Sequence, residues 1–268
     1  MAPFLTHLAV GEGVWLRLDG RQPRPKAYGT FLLGCLAPDV DKFWPDLEQG
    51  TTHFLPKDRD RTWTERRTRH FLARPADFLV APFCEMAAVE QSFVLGYLCH
   101  VAADEVTGRL GTQIMTEFAT AGQVLPNVDA ILTAMDPLLW AEARDAAGIV
   151  AALERARLPN GAFPFLPAGG LAALHRAVLP QVREGGGLLP YTHFRRRLEN
   201  WKRHGQVSDD KEDAELEAEL AAWQQRVEAD LPGCQRLVAS LDMERYFAEA
   251  VEHSLACSEA LLLKEARS

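Results

Sequence analysis

Side chains that can bind a metal ion are concentrated in the first 104 residues of this 268-residue chain. His100 and Asp104 are four residues apart in the segment LGYLCHVAAD, and a helix places residues with this spacing on one face. Because the segment is otherwise apolar, burying an unpaired imidazole and carboxylate there would be costly. The spacing predicts either a metal site or a hydrogen-bonded His–Asp pair in the core.

A second group of candidate ligands lies in residues 37–60, whose prolines, aspartates and glycine predict a long irregular loop. Asp39 follows Pro38, which restricts the backbone, and Asp41 comes two positions later. Carboxylates on a stiff loop suit a metal ion or a general base, although an aspartate after a proline also caps turns. His53, in the same loop, is either a further ligand or a solvated side chain.

The elements that must position these residues are predicted to be helices. Ala, Leu, Glu and Arg fill long stretches and the alternating pattern of strands is missing, so we expect an all-α, multi-helix bundle. Residues 84–104 are apolar nearly all round, which is typical of a helix at the centre of a bundle. Helices are predicted at about 6–18, 26–36, 60–73, 84–104, 128–157 with a kink at Pro137, 170–183, 192–204, 210–230 and 234–265.

Composition excludes several classes of protein. The net charge of −8, from 37 acidic and 29 basic residues, argues against duplex nucleic acid as a partner. No apolar run approaches the roughly 18 residues of a transmembrane helix. The chain has five cysteines and no CxxC motif, which predicts free thiols. Its amino terminus is unlike a signal peptide, so we expect a cytoplasmic protein.

We expect one helical domain over 1–268, with a metal-site half at 1–105 and a divergent remainder at 106–268.

The order of these motifs resembles the zinc-dependent phospholipase C family, which is related to the P1-type nucleases. The resemblance covers residues 1–105 and rests on an early histidine, G-x-x-x-PD ending at Asp39, THF around His53, and LGYLCHVAAD. It implies a compact helical bundle that binds zinc. In that family's pattern, Asp39, His53, His100 and Asp104 would bind one ion, and His7 with Asp104 would bind a second.

The chain departs from the family pattern after Asp104. Family members continue with a further histidine, as in D-x-x-W-H-P, and later with H-x-x-x-E, whereas here DEVTGRLGTQIM follows and the next histidine is His175. One or two zinc ions are therefore expected rather than three. Glu249 and His253 form an E-x-x-x-H pair that offers replacement ligands, and His193 lies beside three arginines that suit a phosphate. Core or surface hydrogen bonding is the alternative for each.

The activity that the resemblance implies is hydrolysis of a small phosphate ester, either a phospholipid headgroup or a nucleotide-like compound, by a zinc-activated water. Asp41 and Glu105 are the predicted general bases because they neighbour predicted ligands in sequence. Two alternatives stay open. The protein is a non-catalytic metal-binding module with a degenerate site that binds a partner, or it is a helical bundle without metal.

Overall fold

The computed structural model describes residues 4–18, 27–44, 47, 49–54, 67–159, 161–185 and 213–265. These residues contain α-helices and short 3-10 helices but no β-strand, which confirms the all-α prediction. A 3-10 helix at Ala37–Lys42 follows α2 directly. The α-helices are α1 (Phe4–Leu18), α2 (Tyr28–Leu36), α3 (Gln49–Thr52), α4 (Arg67–Ala73), α5 (Ala88–Thr120), α6 (Val128–Trp140), α7 (Ala146–Glu154), α8 (Ala168–Arg183), α9 (Asp213–Ala239) and α10 (Met243–Glu265).

Several predicted boundaries were wrong. The predicted loop at 37–60 contains the 3-10 helix and α3, since Pro38 occupies an early helical position where no backbone N–H is needed. The helix predicted at 128–157 is two helices, because Asp145 caps α7 by accepting a hydrogen bond of 2.8 Å from the Gly148 amide. Pro137 lies within α6. The predicted helix at 192–204 lies outside the described residues.

The longest helix also differs from its prediction. It extends to Thr120 and has 33 residues, rather than ending near Asp104. The polar residues of its second half include threonines whose hydroxyls donate to the carbonyl one turn earlier, so they do not interrupt the helix. The helix predicted at 234–265 begins instead at Met243, where Asp242 accepts a hydrogen bond of 3.0 Å from the Arg245 amide.

Helix α5 passes through two hydrophobic clusters. The larger one packs α1, α2, α7, α8 and most of α10 around the first half of α5. The smaller one joins the second half of α5 to α6, α9 and the start of α10. Residues before and after position 105 therefore surround the predicted ligands. The expected division of the chain into a metal-site half and a remainder at this position stays a prediction. All five cysteines are free thiols, as predicted. Of the described helices, none has the length and hydropathy needed to cross a bilayer.

Polar contacts fix α1, the helix that carries His7. Asp136 on α6 accepts hydrogen bonds from the backbone amide of Thr6 at 2.8 Å and from its hydroxyl at 2.9 Å. Glu12 accepts from the backbone amides of residues 144 and 145 at 2.6 and 2.9 Å. Since amides in the first turn of a helix lack partners within that helix, the Asp136 contact stabilises the start of α1. His7 is thereby held against the first half of α5.

Helices α2 and α5 cross in direct backbone contact. A Cβ atom added to Gly96 would lie 1.9 Å from the Phe31 carbonyl oxygen, and one added to Gly34 would lie 2.3 Å from the Phe93 carbonyl oxygen. Only glycine allows this approach. Because the 3-10 helix with Asp39 begins where α2 ends, the crossing sets the position of Asp39 over α5.

We expect Gly96→Ala to lower the free energy of unfolding by about 1–3 kcal/mol or more, because the new methyl group forces α2 and α5 apart. Gly111→Ala is the matched control on the same helix, since no atom lies within 4 Å of its added Cβ. That control should raise stability by about 0.5–1 kcal/mol. Urea denaturation of both variants measures the effect. Equal stability of the two variants would contradict the close crossing.

Candidate metal centre

Four separate segments bring the five predicted metal ligands together. The contributing elements are α1, the 3-10 helix after α2, the turn after α3, and α5. Every one of the five residues is at most 2% exposed. They are His7, Asp39, His53, His100 and Asp104.

His53 and His100 face the same two carboxylates. The Nε2 atom of His53 lies 3.6 Å from an oxygen of Asp39 and 3.6 Å from an oxygen of Asp104. The Nε2 atom of His100 lies 4.0 and 3.9 Å from the same two oxygens. Ligand atoms about 2.0–2.1 Å from a tetrahedral zinc ion are about 3.3 Å apart. A contraction of about 0.3–0.7 Å in these distances would allow the four residues to share one ion.

His7 faces the other carboxylate oxygen of Asp104. Its Nε2 atom is 3.5 Å from Asp104 Oδ1, whereas the contacts of Asp104 with His53 and His100 use Oδ2. The His7 ring stacks on the His100 ring with a centroid separation of 3.5 Å. Ligand atoms within 4.8 Å of one another form two sets, one of His7, Asp39 and His100 and the other of His53, His100 and Asp104. The two sets share His100, so the described residues offer at least one position for a metal ion.

The ring nitrogens that face the carboxylates have no hydrogen-bond partner among the described residues. They are the Nε2 atoms of His7, His53 and His100, and the Nδ1 atom of His7 has no such partner either. A buried polar atom without a partner costs about 1–3 kcal/mol. The other nitrogen of His100 donates to the Cys35 carbonyl at 2.7 Å, which directs Nε2 toward the carboxylates. These unpartnered nitrogens beside two carboxylates match the donor set that zinc prefers.

Burial sets the protonation of the histidines. It lowers the pKa of His7 to about 4 and outweighs the opposing effect of Asp104 and Asp39. Burial also lowers the pKa of His100 well below its ordinary value. Both rings are therefore neutral at pH 7, the form that binds a metal.

The two carboxylates are ionised despite their burial. Burial by itself raises the pKa of Asp39, but the Lys42 ammonium opposes it most strongly and the pKa lies well below the ordinary value. Burial likewise raises the pKa of Asp104, yet this pKa is also held well below the ordinary value, with the Arg67 guanidinium among the groups that lower it. Anionic oxygens therefore face neutral imidazoles across the site.

Sequence reasoning missed two buried cations in this site. Lys42 Nζ lies 2.6 Å from Asp39 Oδ2, and Arg67 Nη1 donates to Asp104 Oδ2 at 3.0 Å. The three-residue spacing between Asp39 and Lys42 was an available signal, because one turn brings them together. No comparable signal pointed to Arg67, which lies far from Asp104 in sequence within a run of arginines.

Glu105, a predicted general base, accepts three hydrogen bonds. Two come from the amide and hydroxyl of Thr68, both at 2.9 Å, and the third from His253 Nε2 at 2.7 Å. Its carboxylate therefore joins α4 and α10 to α5.

Asp41, the other predicted general base, is 8% exposed. The pKa of Tyr97 is raised first by burial and then by the negative charges of Asp41 and Asp39.

The turn that carries His53 is held by its neighbours. Phe54 has a positive φ of 54°, a backbone conformation that is unfavourable for a residue with a side chain. Its ring stacks on Phe71 with a centroid separation of 4.7 Å, and its carbonyl accepts a hydrogen bond of 2.9 Å from His70 Nδ1. Tyr97 on α5 donates to the Thr52 carbonyl. The aromatic residue of the THF motif thus packs the turn against α5.

The remaining sequence candidates lie apart from this cluster. Glu249 pairs with Arg109, whereas His253 contacts Glu105, so the two side chains have different partners in the metal-free fold. His175 donates to the Leu153 carbonyl at 2.8 Å. The segment with His193 and its three arginines lies outside the described residues.

We expect His100→Ala and Asp104→Asn each to lower both zinc content and melting temperature, because each removes a ligand and leaves other buried polar groups unpaired. Elemental analysis and thermal denaturation of the purified proteins measure the two effects. His175→Ala is the control and should keep its zinc. Full zinc occupancy in either site variant, or an equal loss in the control, would show that the metal binds elsewhere.

The metal-free protein should lose stability in acid. His7 has a pKa of about 4 in the folded chain against 6.5 as its ordinary value, so below pH 6.5 the unfolded chain binds a proton that the folded chain does not. The free energy of unfolding should therefore fall between pH 6.5 and 4, and His100 adds to the trend. Urea midpoints of chelator-treated protein at pH 7.5, 6 and 5 test this. A midpoint that does not fall, or that falls equally in His7→Gln, would contradict it.

Comparison with known proteins gives a family for this arrangement. The family model described as zinc-dependent phospholipase C matches residues 6–145, which is just over half of the chain. The match includes all five clustered residues and the Asp136 and Glu12 contacts of α1. No curated protein and no solved structure matches the chain significantly. Zinc is the metal of this family, and the described histidines and aspartates include two sets able to hold an ion. The chain belongs to the zinc-dependent phospholipase C family.

Proposed function

We propose that the protein hydrolyses a phosphate ester with zinc bound between its histidines and carboxylates. The observation that carries the proposal is that the buried Nε2 atoms of three histidines have no hydrogen-bond partner among the described residues and lie 3.5–4.0 Å from carboxylate oxygens of Asp39 and Asp104. Structural histidines in a core would be expected to have partners. Membership of a zinc-dependent phospholipase C family supports the same chemistry.

The ligand roles follow from which oxygen each histidine faces. In the proposal, Asp39, His53, His100 and Asp104 hold one ion, and His7 with Asp104 holds a second. The two oxygens of Asp104 face different histidines, so this carboxylate would be available to hold an ion together with either of them. Bound zinc would supply Lewis acidity toward a phosphoryl oxygen and a nucleophilic water at neutral pH.

The chain itself must accept the proton that the water loses. We assign this role to Asp41, which lies on the same 3-10 helix as Asp39 and near the Tyr97 hydroxyl. A carboxylate held close to a ligand suits a general base. Glu105 stays a prediction for the same role, but its three hydrogen bonds to Thr68 and His253 favour Asp41.

One observation favours the alternative of a metal-binding module without turnover. Both carboxylates already have a cationic partner, Lys42 for Asp39 and Arg67 for Asp104. Together with the missing family histidine after Asp104, this is consistent with a site that holds one ion and binds a partner. The two functions differ in metal content and turnover: the hydrolase needs an ion and a substrate position, whereas the module needs only the ion.

We expect the zinc-loaded protein to hydrolyse bis(p-nitrophenyl) phosphate or p-nitrophenylphosphorylcholine, and chelator to abolish the activity. Asp41→Asn should lower kcat by about 10²–10⁴-fold with zinc content unchanged, because it removes the proton acceptor and not a ligand. Asp77→Asn is the control, since that carboxylate is exposed and pairs with Arg74.

One result would contradict the proposed hydrolase, and another would contradict only the role of Asp41. A protein with stoichiometric zinc and no turnover of any phosphate ester would favour the binding module. An unchanged kcat in Asp41→Asn would remove Asp41 as the base while leaving the hydrolase itself in place.

A further inference from the structure

Two cationic side chains are buried inside the candidate metal centre. Lys42 is 7% exposed and Arg67 is 6% exposed, although long charged side chains are rarely buried in proteins. Each contacts one of the carboxylates proposed as zinc ligands, Lys42 to Asp39 and Arg67 to Asp104. If these carboxylates turn toward zinc, the cations need new partners.

Zinc binding would change the surroundings of both cations. A Zn²⁺ ion brings positive charge close to Lys42 and Arg67 and binds the carboxylates that now pair with them. A buried cation without an anionic partner is unfavourable. An anionic ligand beside the metal would give the two cations new partners.

Both cations have donor capacity left for such a ligand. Arg67 uses Nη1 for Asp104, while its Nε has no hydrogen-bond partner among the described residues. A guanidinium carries five N–H donors in a planar fork that fits phosphate oxygens. Lys42 has three donors, and its Nζ lies 5.2 Å from the centre of the Phe4 ring.

Arg67 is also held in place by its own helix. Its neighbour Thr68 donates two hydrogen bonds of 2.9 Å to Glu105, which is adjacent to Asp104 on α5. This pair of contacts fixes the first turn of α4 against α5. These contacts tie the Arg67 backbone to α5 independently of the contact between Arg67 and Asp104. A fixed backbone with a side chain released from Asp104 is suited to substrate binding.

We propose that Lys42 and Arg67 bind the phosphoryl group of the ligand once zinc occupies the carboxylates. This rests on the proposed function, because it assumes that Asp39 and Asp104 bind zinc. Each cation then has two opposing effects: in the metal-free protein it competes with zinc for a carboxylate, and in the loaded protein it holds phosphate oxygens. Loss of a cation that only stabilises the fold would leave phosphate binding unchanged.

The test compares Lys42→Gln and Arg67→Gln with the parent chain by calorimetric titration of zinc and then of inorganic phosphate. We expect phosphate affinity to fall at least tenfold in each variant, and zinc affinity to stay equal or rise. Arg69→Gln is the matched control, since Arg69 is an exposed arginine on α4. Lys42→Arg keeps the charge and the hydrogen-bond donors and should retain most of the phosphate affinity. Arg67→Lys keeps the charge but loses the planar fork of donors, so it should bind phosphate more weakly with normal zinc content.

Phosphocholine and AMP are titrated in parallel, since a lipid headgroup and a nucleotide share the phosphoryl group. Both should lose affinity by a similar factor in the variants. Unchanged phosphate affinity, loss for only one of the two esters, or loss of zinc together with phosphate in folded variants would overturn the inference. A parent protein that binds zinc and phosphate but turns nothing over would instead contradict the proposed hydrolase.

The charge-conserving variants decide the question if the Gln variants unfold at a much lower temperature than the parent. Weak phosphate binding in Arg67→Lys with normal zinc content supports the inference for Arg67. Unchanged phosphate binding in all variants overturns the inference.

Discussion

The backbone contact between α2 and α5 is the constraint on which the candidate metal centre depends. Gly34 and Gly96 have no Cβ atom, which allows the backbones of the two helices to come into direct contact. As a result the Cys35 carbonyl reaches His100, and the 3-10 helix after α2 places Asp39 opposite the same ring. A wider crossing would separate these groups and leave the imidazole without either neighbour.

Burial gives the site its chemical character. Removal from water lowers the pKa of His7 and His100, while cations such as Lys42 and Arg67 help to keep Asp39 and Asp104 ionised. In the described part of the chain, neutral nitrogens and anionic oxygens thus face one another without hydrogen bonds between them. Such a pairing is unfavourable for a core and favourable for a cation, since zinc binds both kinds of atom. The same energetic cost explains why Lys42 lies against a carboxylate.

The sequence was sufficient to predict the helical class and the candidate ligands, but not their geometry. Helix periodicity identified the buried part of α5, and the family resemblance connected residues that lie far apart in the chain. Helix ends depended on local caps such as Asp145 and Asp242, which compete with the general pattern of apolar residues. Pairing between distant elements left no periodic signal, so the contact of Arg67 with Asp104 and that of Glu105 with Thr68 emerged only from the fold.

The most direct measurement is a crystal structure of the protein grown with zinc, with anomalous diffraction recorded at the zinc absorption edge. The account predicts an anomalous peak about 2.0–2.1 Å from the Nε2 atoms of His53 and His100 and close to the oxygens of Asp39 and Asp104. Zinc found only at the protein surface, with Lys42 and Arg67 still paired to those carboxylates, would contradict it.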